Sequence, residues 1–272
     1  MMISIMMLSS LGIGSWIQQT YISQSRATGG TPRAALIDEL SVTNPDPSFI
    51  KNMTKMLSSS GYNVDYYGPK DVTVDLFRTL PLQSYAIVII RSHTASSQSI
   101  ITSQPYSSSQ YVYEQVVNEV GSAELMGSTM TYFSISASFV RDAIQGNFHG
   151  AIVIAMGCAT FQGRPDMANA FIKKGASVFV GWDGTVSPQH TDSATQDLLW
   201  SLVHGKGVRE AVGDVGGPDP TYGGHMTYLD AASVSHDQFV NELASVETLA
   251  LVLCFLILAP ATILLIPRLA SR

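Results

Sequence analysis

Charged residues are scarce in this chain. Asp, Glu, Lys and Arg make up only 13% of its 272 residues, about half the roughly 25% that is typical of a soluble domain. The 15 Lys and Arg against 21 Asp and Glu give a net charge of −6 without long runs of either sign. The chain therefore lacks the basic face that nucleic-acid binding requires. So low a charged share also indicates that part of the chain does not lie in water.

Cysteine is almost absent as well. One of the two cysteines, Cys254, lies in an apolar C-terminal segment, and the other, Cys158, lies in the middle of the chain. No disulfide bond is therefore expected within the globular part. The paired Cys and His spacings of structural zinc sites are also missing, so the sequence predicts no metal site.

The C-terminal segment 248–267 has no charged residue over 20 positions. At a rise of about 1.5 Å per residue, a helix of this length spans roughly 30 Å, one hydrocarbon core. Acidic residues precede the segment, and two arginines follow within 268–272. The positive-inside rule therefore predicts a transmembrane helix with the 268–272 tail in the cytoplasm. The alternative, a buried core helix, would need a charge-free stretch of this length inside a small domain.

The N-terminal segment 1–25 also has no charged side chain. Its apolar stretch is followed by small residues, as in a signal peptide, but it has no basic residue before the apolar stretch. A cleaved signal peptide and an uncleaved anchor both remain open. Either one leaves residues 31–243 outside the cell, as an ectodomain tethered to the cell membrane.

Within 31–243, short apolar runs alternate with segments of helical periodicity. Predicted strands lie at 34–40, 62–68, 85–93, 131–136, 151–157 and 176–182. Predicted helices lie at 47–61, 71–80, 138–146, 166–175, 188–204 and 207–215, and 94–130 is interpreted as irregular. Alternating strands and helices predict a mostly parallel sheet covered on both faces. Reactive groups in such sheets gather at the carboxyl ends of the strands.

Two strand ends carry residues suited to catalysis. His93 follows the apolar strand YAIVIIR, and Cys158 follows the apolar strand AIVIAM and a glycine. A thiolate is a strong nucleophile, and a neighbouring imidazole can act as its base. Alone, each residue is more often structural; together they are candidates for a catalytic pair.

This arrangement resembles the caspase-like cysteine peptidases, which include caspases, legumains, gingipains, clostripain and separase. The succession after Cys158, a Gly163-containing loop, a helix, the strand SVFVGW and a further helix, is similar to the gingipain-like branch and covers most of 34–215. The resemblance implies a three-layer caspase-like fold, with His93 as general acid and base and Cys158 as nucleophile. It also implies an oxyanion site formed by backbone N–H groups of Cys158 and Thr94. No metal or organic cofactor is implied as a requirement, and the implied partner is a peptide or protein substrate.

The sequence departs from the family pattern at three positions. Thr94 stands where the family usually has Gly, and its Cβ restricts the backbone. Met156 stands two residues before the cysteine, where arginine-specific clostripain-like members often carry Asp. Asp183, at the end of the next strand, is the nearest acidic substitute for binding the substrate side chain before the scissile bond. A turn role before Gly184 is the alternative for Asp183.

His190 is a further candidate for substrate binding. Its structural alternative is a helix start in which Thr191 or Asp192 caps the free amides. A third candidate function is that of an α/β enzyme similar to a glutamine amidotransferase, in which His190, and not His93, would be the base for Cys158. The residues around Cys158 do not match the Gly-x-Cys-x-Gly turn of that class.

The sequence thus favours a membrane-tethered cysteine peptidase that cleaves peptide bonds outside the cell. The principal alternative is a catalytically inactive caspase-like ectodomain that serves as a binding or sensing module. An unprotected extracellular thiol and Thr94 after the histidine both favour that alternative.

Overall fold

The computed structural model describes residues 30–95, 98–125 and 129–234. The predicted signal or anchor segment 1–25, the predicted membrane helix 248–267 and the tail 268–272 lie outside these residues. Across the described ranges, no helix combines the length and the apolar character that spanning a membrane would need. By its contacts the chain divides into Met1–Ala231 and Ala232–Arg272, and the elements given below belong to the first unit.

Nine strands in the described part of the chain form two sheets. They are β1 (Arg33–Asp38), β2 (Asn63–Tyr67), β3 (Tyr85–Arg91), β4 (Ile100–Pro105), β5 (Val120–Glu124), β6 (Thr131–Ile135), β7 (Ile152–Ala155), β8 (Val178–Trp182) and β9 (Met226–Asp230). The larger sheet has the order β2-β1-β3-β7-β8-β9, and every pairing in it is parallel except β8 with β9. The prediction of a mostly parallel sheet is confirmed.

Helices cover both faces of this sheet. Those described are α1 (Pro47–Ser59), α2 (Val74–Thr79), α3 (Val112–Val116), α4 (Asp166–Lys173), α5 (Pro188–Val203), α6 (Val208–Asp214) and a π-helix at Phe139–Ala143, besides short 3₁₀ turns. Helices α1, α5 and α6 share one apolar cluster with alternate residues of the sheet. On the other face, Phe171 of α4 packs on Phe179 of β8, with ring centroids 5.3 Å apart. The structure is therefore a layer of helices, a sheet and a second layer of helices.

Helix α1 shows how the local sequence sets an element. Asp46 precedes it and accepts hydrogen bonds from the N–H groups of Ser48 and Phe49, and Pro47 has no N–H to leave unpaired. Phe49, Met53 and Leu57 recur on one helical face and are buried. The cap and the apolar spacing together account for the helix predicted at 47–61.

The prediction that 94–130 is irregular is wrong. The segment contains β4, α3 and β5, and its two strands pair with β6 in an antiparallel sheet of order β4-β6-β5. Strand β4 ends in the polar run SQP and β5 is VGSAE, and together they bury four apolar side chains, Ile100, Ile101, Val120 and Ala123. So few apolar residues give no clear alternation in the sequence, and the pairing partner decides the structure.

Strand β9 was also missed. Its five residues are all partly buried, so it has neither an apolar run nor an inside–outside alternation. It forms by antiparallel pairing with β8, which ends the sheet.

Candidate functional site

The strands that precede His93 and Cys158 are neighbours in the sheet. β3 and β7 run parallel, with Ile90 beside Ala155, so the two segments leave the same sheet edge side by side. Gly157 packs directly against the His93 segment: a Cβ at this position would overlap Thr94 Oγ1 and come within 2.7 Å of the Ser92 carbonyl oxygen. The close backbone approach requires glycine at 157.

His93 is held by two groups that follow β1. Its Nε2 lies 2.7 Å from Thr43 Oγ1, and its backbone N–H donates to Glu39 Oε2 at 2.7 Å. Because the Leu40 carbonyl lies 3.5 Å from Thr43 Oγ1 as an acceptor, the network favours a proton on Nε2 of the neutral ring, with the Nδ1 lone pair available. Burial, and then the charge of Arg91, lower the pKa of His93, which favours the neutral base.

Cys158 is partly buried and packs against the apolar cluster beneath α1 and α5. Its Sγ lies 3.4 Å from the carbonyl oxygen of Val186 and 3.5 Å from the Val186 nitrogen. No hydrogen bond joins it to His93, although both residues are among those described. The next residue, Ala159, has φ +55°, a left-handed conformation that non-glycine residues adopt at an energetic cost.

The two backbone N–H groups that the resemblance assigns to an oxyanion site have no partner. Neither the N–H of Thr94 nor that of Cys158 donates a hydrogen bond to any residue in the described ranges. Neighbouring N–H groups are satisfied: Ala95 donates to Ser99 and Ala159 donates to Gly184. Unpaired donors on adjacent segments are the groups that a developing oxyanion needs.

Glu39 is a buried carboxyl group next to this site. It is 0% exposed, and its Oε1 has no hydrogen-bond partner among the described atoms. Burial raises the pKa of Glu39 to about 7, against the opposing effect of the hydrogen bond from His93. A carboxyl group that titrates near neutral pH therefore lies directly on the backbone of the candidate base. Sequence reasoning missed it, although an acidic residue at the end of an apolar strand marks such a position.

Arg91 connects three parts of the fold beneath His93. It donates from Nε and Nη2 to both carboxylate oxygens of Asp192 at 2.8 Å, and from Nη1 to Asp38 Oδ1 at 2.7 Å. Its guanidinium also lies over the Phe49 ring, 5.3 Å from the centroid. Although burial disfavours the charged guanidinium, the hydrogen bonds that Arg91 donates to Asp192 and Asp38 raise the pKa of Arg91. An arginine that ends an apolar strand is the signal that could have predicted buried acidic partners.

The structure places Asp183 in the turn region between β8 and the loop before β9. Its Oδ1 accepts the N–H of His225 at 2.6 Å, and its Oδ2 lies 3.5 Å from the His225 Nδ1. Both side chains are about half exposed. Asp183 thus contributes to local structure and still presents a carboxylate to solvent.

His190 lies in the first turn of α5 and packs on Trp182, with ring centroids 5.5 Å apart. Its Nε2 is buried without a partner among the described residues, and it makes no hydrogen bond to Cys158. The predicted cap at Thr191 or Asp192 is wrong. Ser187 caps the helix by accepting from the His190 N–H, because Pro188 starts the helix three residues earlier.

A second acidic residue, Asp219, fixes the backbone next to Val186, the residue that contacts the Cys158 sulfur. Asp219 accepts hydrogen bonds from both the N–H and the hydroxyl of Ser187 and from the N–H groups of Thr221 and Tyr222. Although burial opposes ionisation, these bonds lower the pKa of Asp219 to about 2. They fix the loop before β9 against the start of α5, one residue from Val186.

Within the described residues, His, Cys, Asp and Glu side chains form no group of three or more that could hold a metal ion. Comparison with models of known protein families finds no match to this chain, and comparison with curated proteins finds none either. The functional argument therefore rests on the geometry of the strand ends.

Proposed function

We propose that this chain is a membrane-tethered cysteine peptidase of caspase-like fold. The observation that carries the proposal is the pair of adjacent parallel strand ends, which bring His93 and Cys158 onto segments in direct backbone contact at Gly157. The unpaired N–H groups of Thr94 and Cys158 and the left-handed Ala159 support it. The alternating helices and mostly parallel sheet are the architecture that the proposal needs.

In the proposed reaction, His93 Nδ1 takes the thiol proton of Cys158, and the sulfur attacks the carbonyl carbon of the scissile peptide bond. The carbonyl oxygen becomes an oxyanion that accepts from the N–H groups of Thr94 and Cys158. The C–N bond breaks, His93 gives a proton to the leaving amine, and a thioester remains. Water then attacks the thioester carbonyl while His93 takes a proton from that water, and the C–S bond breaks to release a carboxylic acid. His93 returns its proton to the sulfur, which regenerates the Cys158 thiol.

The free chain need not have a hydrogen bond between sulfur and imidazole for this reaction. Catalytic contacts in enzymes without substrate are often long and tighten only when substrate is bound. The Nε2–Thr43 contact orients the ring and leaves Nδ1 as the group that exchanges protons. This assigns Thr43 the orienting role that a third residue has in nucleophile–base pairs.

A specific observation favours the second candidate function, an inactive binding or sensing ectodomain. The Cys158 sulfur contacts the Val186 backbone and not His93, and Thr94 narrows the backbone freedom at the oxyanion position. Such a module would bind a peptide segment at these strand ends without cleaving it.

The membrane part of the proposal rests on the sequence alone. The charge-free segment 248–267 would span the lipid bilayer, with 31–243 outside the cell and 268–272 in the cytoplasm. Digestion of intact cells by an added protease tests this topology. An epitope after Arg272 is expected to survive while the ectodomain is degraded, and the reverse pattern would overturn the orientation.

The decisive experiment measures hydrolysis of a mixed peptide library and alkylation of Cys158 by iodoacetamide across pH. Cys158→Ala is expected to abolish hydrolysis with little change in thermal midpoint, because a partly exposed thiol leaves only a small cavity. His93→Ala is expected to lose a comparable factor and to slow alkylation near neutral pH. The two losses should not add in the double variant, because the residues act as one unit.

His204→Ala is the matched control, since this exposed histidine stacks on Trp200 and lies near the Trp200 carbonyl oxygen at the end of α5. It is expected to leave both rates unchanged. A wild-type chain that shows neither hydrolysis nor a Cys158 thiol more reactive than a free cysteine would exclude the peptidase and leave the binding module.

A further inference from the structure

The side chain of Gln98 connects the segment after His93 to the segment after Cys158. Its Nε2 donates to the carbonyl oxygens of Gln162 at 2.7 Å and of Arg164 at 2.6 Å. Its Oε1 accepts the N–H of Met167, in the first turn of α4, at 3.3 Å. The amide has two N–H donors and one carbonyl acceptor, so each of these groups is bound to the same neighbouring loop.

Gln98 adopts its buried, left-handed conformation at an energetic cost. Its residue is only 9% exposed and its φ is +63°, a left-handed conformation that costs a non-glycine residue free energy. Burying a primary amide is also unfavourable unless its polar groups are bonded. The three bonds to the 162–167 region offset both costs.

The connected segments are those that hold the proposed oxyanion donors. On one side, Gln98 is four residues after Thr94, which is fixed by its antiparallel bridge to Ile100. On the other side, Gln162 is four residues after Cys158 and its N–H donates to the Ala159 carbonyl. Through Ser99 and the bridge at Ile100 on one side, and through the Ala159–Gln162 bond on the other, the Gln98 amide is connected to the segments that carry the Thr94 and Cys158 N–H groups.

We infer that Gln98 is a positioning residue that holds the Thr94 and Cys158 segments at the separation required to bind the oxyanion together. This inference rests on the proposed peptidase function. Gly157 brings the two segments into contact at their start, and Gln98 fixes them a second time at their far ends. Two fixed points restrict rotation of one segment against the other, which one contact would allow.

The test compares full-length wild-type, Gln98→Glu and Gln162→Ala chains in detergent micelles. Gln98→Glu keeps the size of the side chain but replaces its NH2 group by a carboxylate oxygen. That oxygen faces the carbonyl oxygens of Gln162 and Arg164 and repels them, whereas the amide donates hydrogen bonds to them. Gln162→Ala removes an exposed side chain from the same loop and keeps the carbonyl that accepts from Gln98. Gln98→Met, which removes the donors without adding charge, replaces the Glu variant if that chain does not fold.

Gln98→Glu is expected to lower kcat for peptide hydrolysis by about 10- to 100-fold with KM within about twofold, since a displacement of about 1 Å can cost about 100-fold. Alkylation of Cys158 by iodoacetamide forms no oxyanion and should stay within about twofold. Hydrogen exchange of the 159–167 segment should rise in Gln98→Glu and stay unchanged in Gln162→Ala.

The outcomes separate this inference from the function it rests on. Unchanged kcat in a folded Gln98→Glu chain overturns the positioning role, and unchanged exchange at 159–167 overturns the link itself. Equal losses in hydrolysis and alkylation would show that Gln98 supports the cysteine generally and not the oxyanion donors. If the wild-type chain hydrolyses no peptide but exchange still rises, the peptidase proposal fails while the link between the loops stands.

Discussion

At the scale of single residues, polar groups under the strand ends determine the environment of His93. Glu39 binds its backbone and Thr43 binds its ring, while burial and then the charge of Arg91 lower its pKa. Glu39 and Thr43 follow the neighbouring parallel strand β1, and Arg91 ends β3 itself. The chemistry of His93 therefore depends in part on side chains about 50 positions away in the chain.

The buried carboxyl of Glu39 makes stability depend on pH. Its folded-state pKa of about 7 exceeds the ordinary value of 4.5, so the folded chain keeps a proton that the unfolded chain loses between these values. The wild type therefore loses stability as pH rises through this window. Glu39→Gln cannot titrate, so its stability relative to wild type should rise from pH 4.5 to pH 8 by up to about 3 kcal/mol, at about 1.4 kcal/mol per pKa unit.

Thermal midpoints of both chains at several pH values measure this difference. Glu124→Gln, an exposed carboxyl on β5, is the control and should show no such trend. A difference between wild type and Glu39→Gln that is independent of pH would contradict an ionisable group buried at this position.

Asp183 decides whether the proposed peptidase prefers basic substrates. Asp183→Asn keeps an oxygen to accept the His225 N–H, so the fold should be preserved while the charge is lost. If the carboxylate binds the residue before the scissile bond, kcat/KM should fall about tenfold or more for Arg and Lys substrates and stay constant for uncharged ones. Asp71→Asn, on an exposed turn, is the control. An equal loss on every substrate would assign Asp183 a structural role.

At the scale of elements, the site depends on how closely the segments after β3 and β7 approach. Gly157 is the contact point, and its backbone conformation is an ordinary one, so the requirement is for space alone. A similar contact recurs at Gly181 in β8, where a Cβ would overlap Thr160 Oγ1. The loop after Cys158 thus lies between two glycine contacts.

Gly157→Ala is expected to destabilise the chain by about 1–3 kcal/mol, because the new methyl group must displace Thr94 or the Ser92 backbone. It should also reduce any hydrolysis, since it separates the proposed oxyanion donors. Gly213→Ala, in α6 with no atom within 4 Å of the added Cβ, should be neutral or slightly stabilising. Calorimetric thermal unfolding compares the two variants. Equal midpoints would show that the strand ends move apart without cost.

At the scale of the whole molecule, Arg91 holds together elements that are adjacent only in the folded state. It pairs with Asp38 at the end of β1 and with Asp192 in α5, and it donates to the Asn44 carbonyl in the loop before α1. When one partner of a buried ion pair is removed, the other remains as an unpaired charge out of contact with water, which destabilises the fold.

Arg91→Met should therefore destabilise the chain by about 3–5 kcal/mol, because Asp38 and Asp192 would remain buried without a cation. Arg141→Met breaks an ion pair with Asp142 in which both side chains are about half exposed, and it should change stability by about 0.5 kcal/mol or less. Thermal midpoints of the two variants test the contrast. Similar small effects at both positions would mean that water reaches the Arg91 cluster.

The sequence alone determined the elements whose apolar pattern is strong. The runs AALID, YAIVII and AIVIA predicted β1, β3 and β7, and the apolar spacing of PSFIKNMTKML predicted α1. From these strands follow the mostly parallel sheet and the shared edge at which His93 and Cys158 leave it. Long apolar runs and helical spacing are set by neighbouring residues, so they can be recognised in the sequence itself.

Only the tertiary structure decided the remainder. Strands β4, β5 and β9 form because a partner pairs with them, and their own residues carry too little pattern to predict it. The hydrogen bonds of Glu39, Gln98 and Arg91 named above join residues 47 to 101 positions apart in the chain, and no local spacing encodes such pairs. The geometry of the candidate site is a property of strand order and loop packing, because hydrogen bonds between loops exist only once the sheet has brought those loops together.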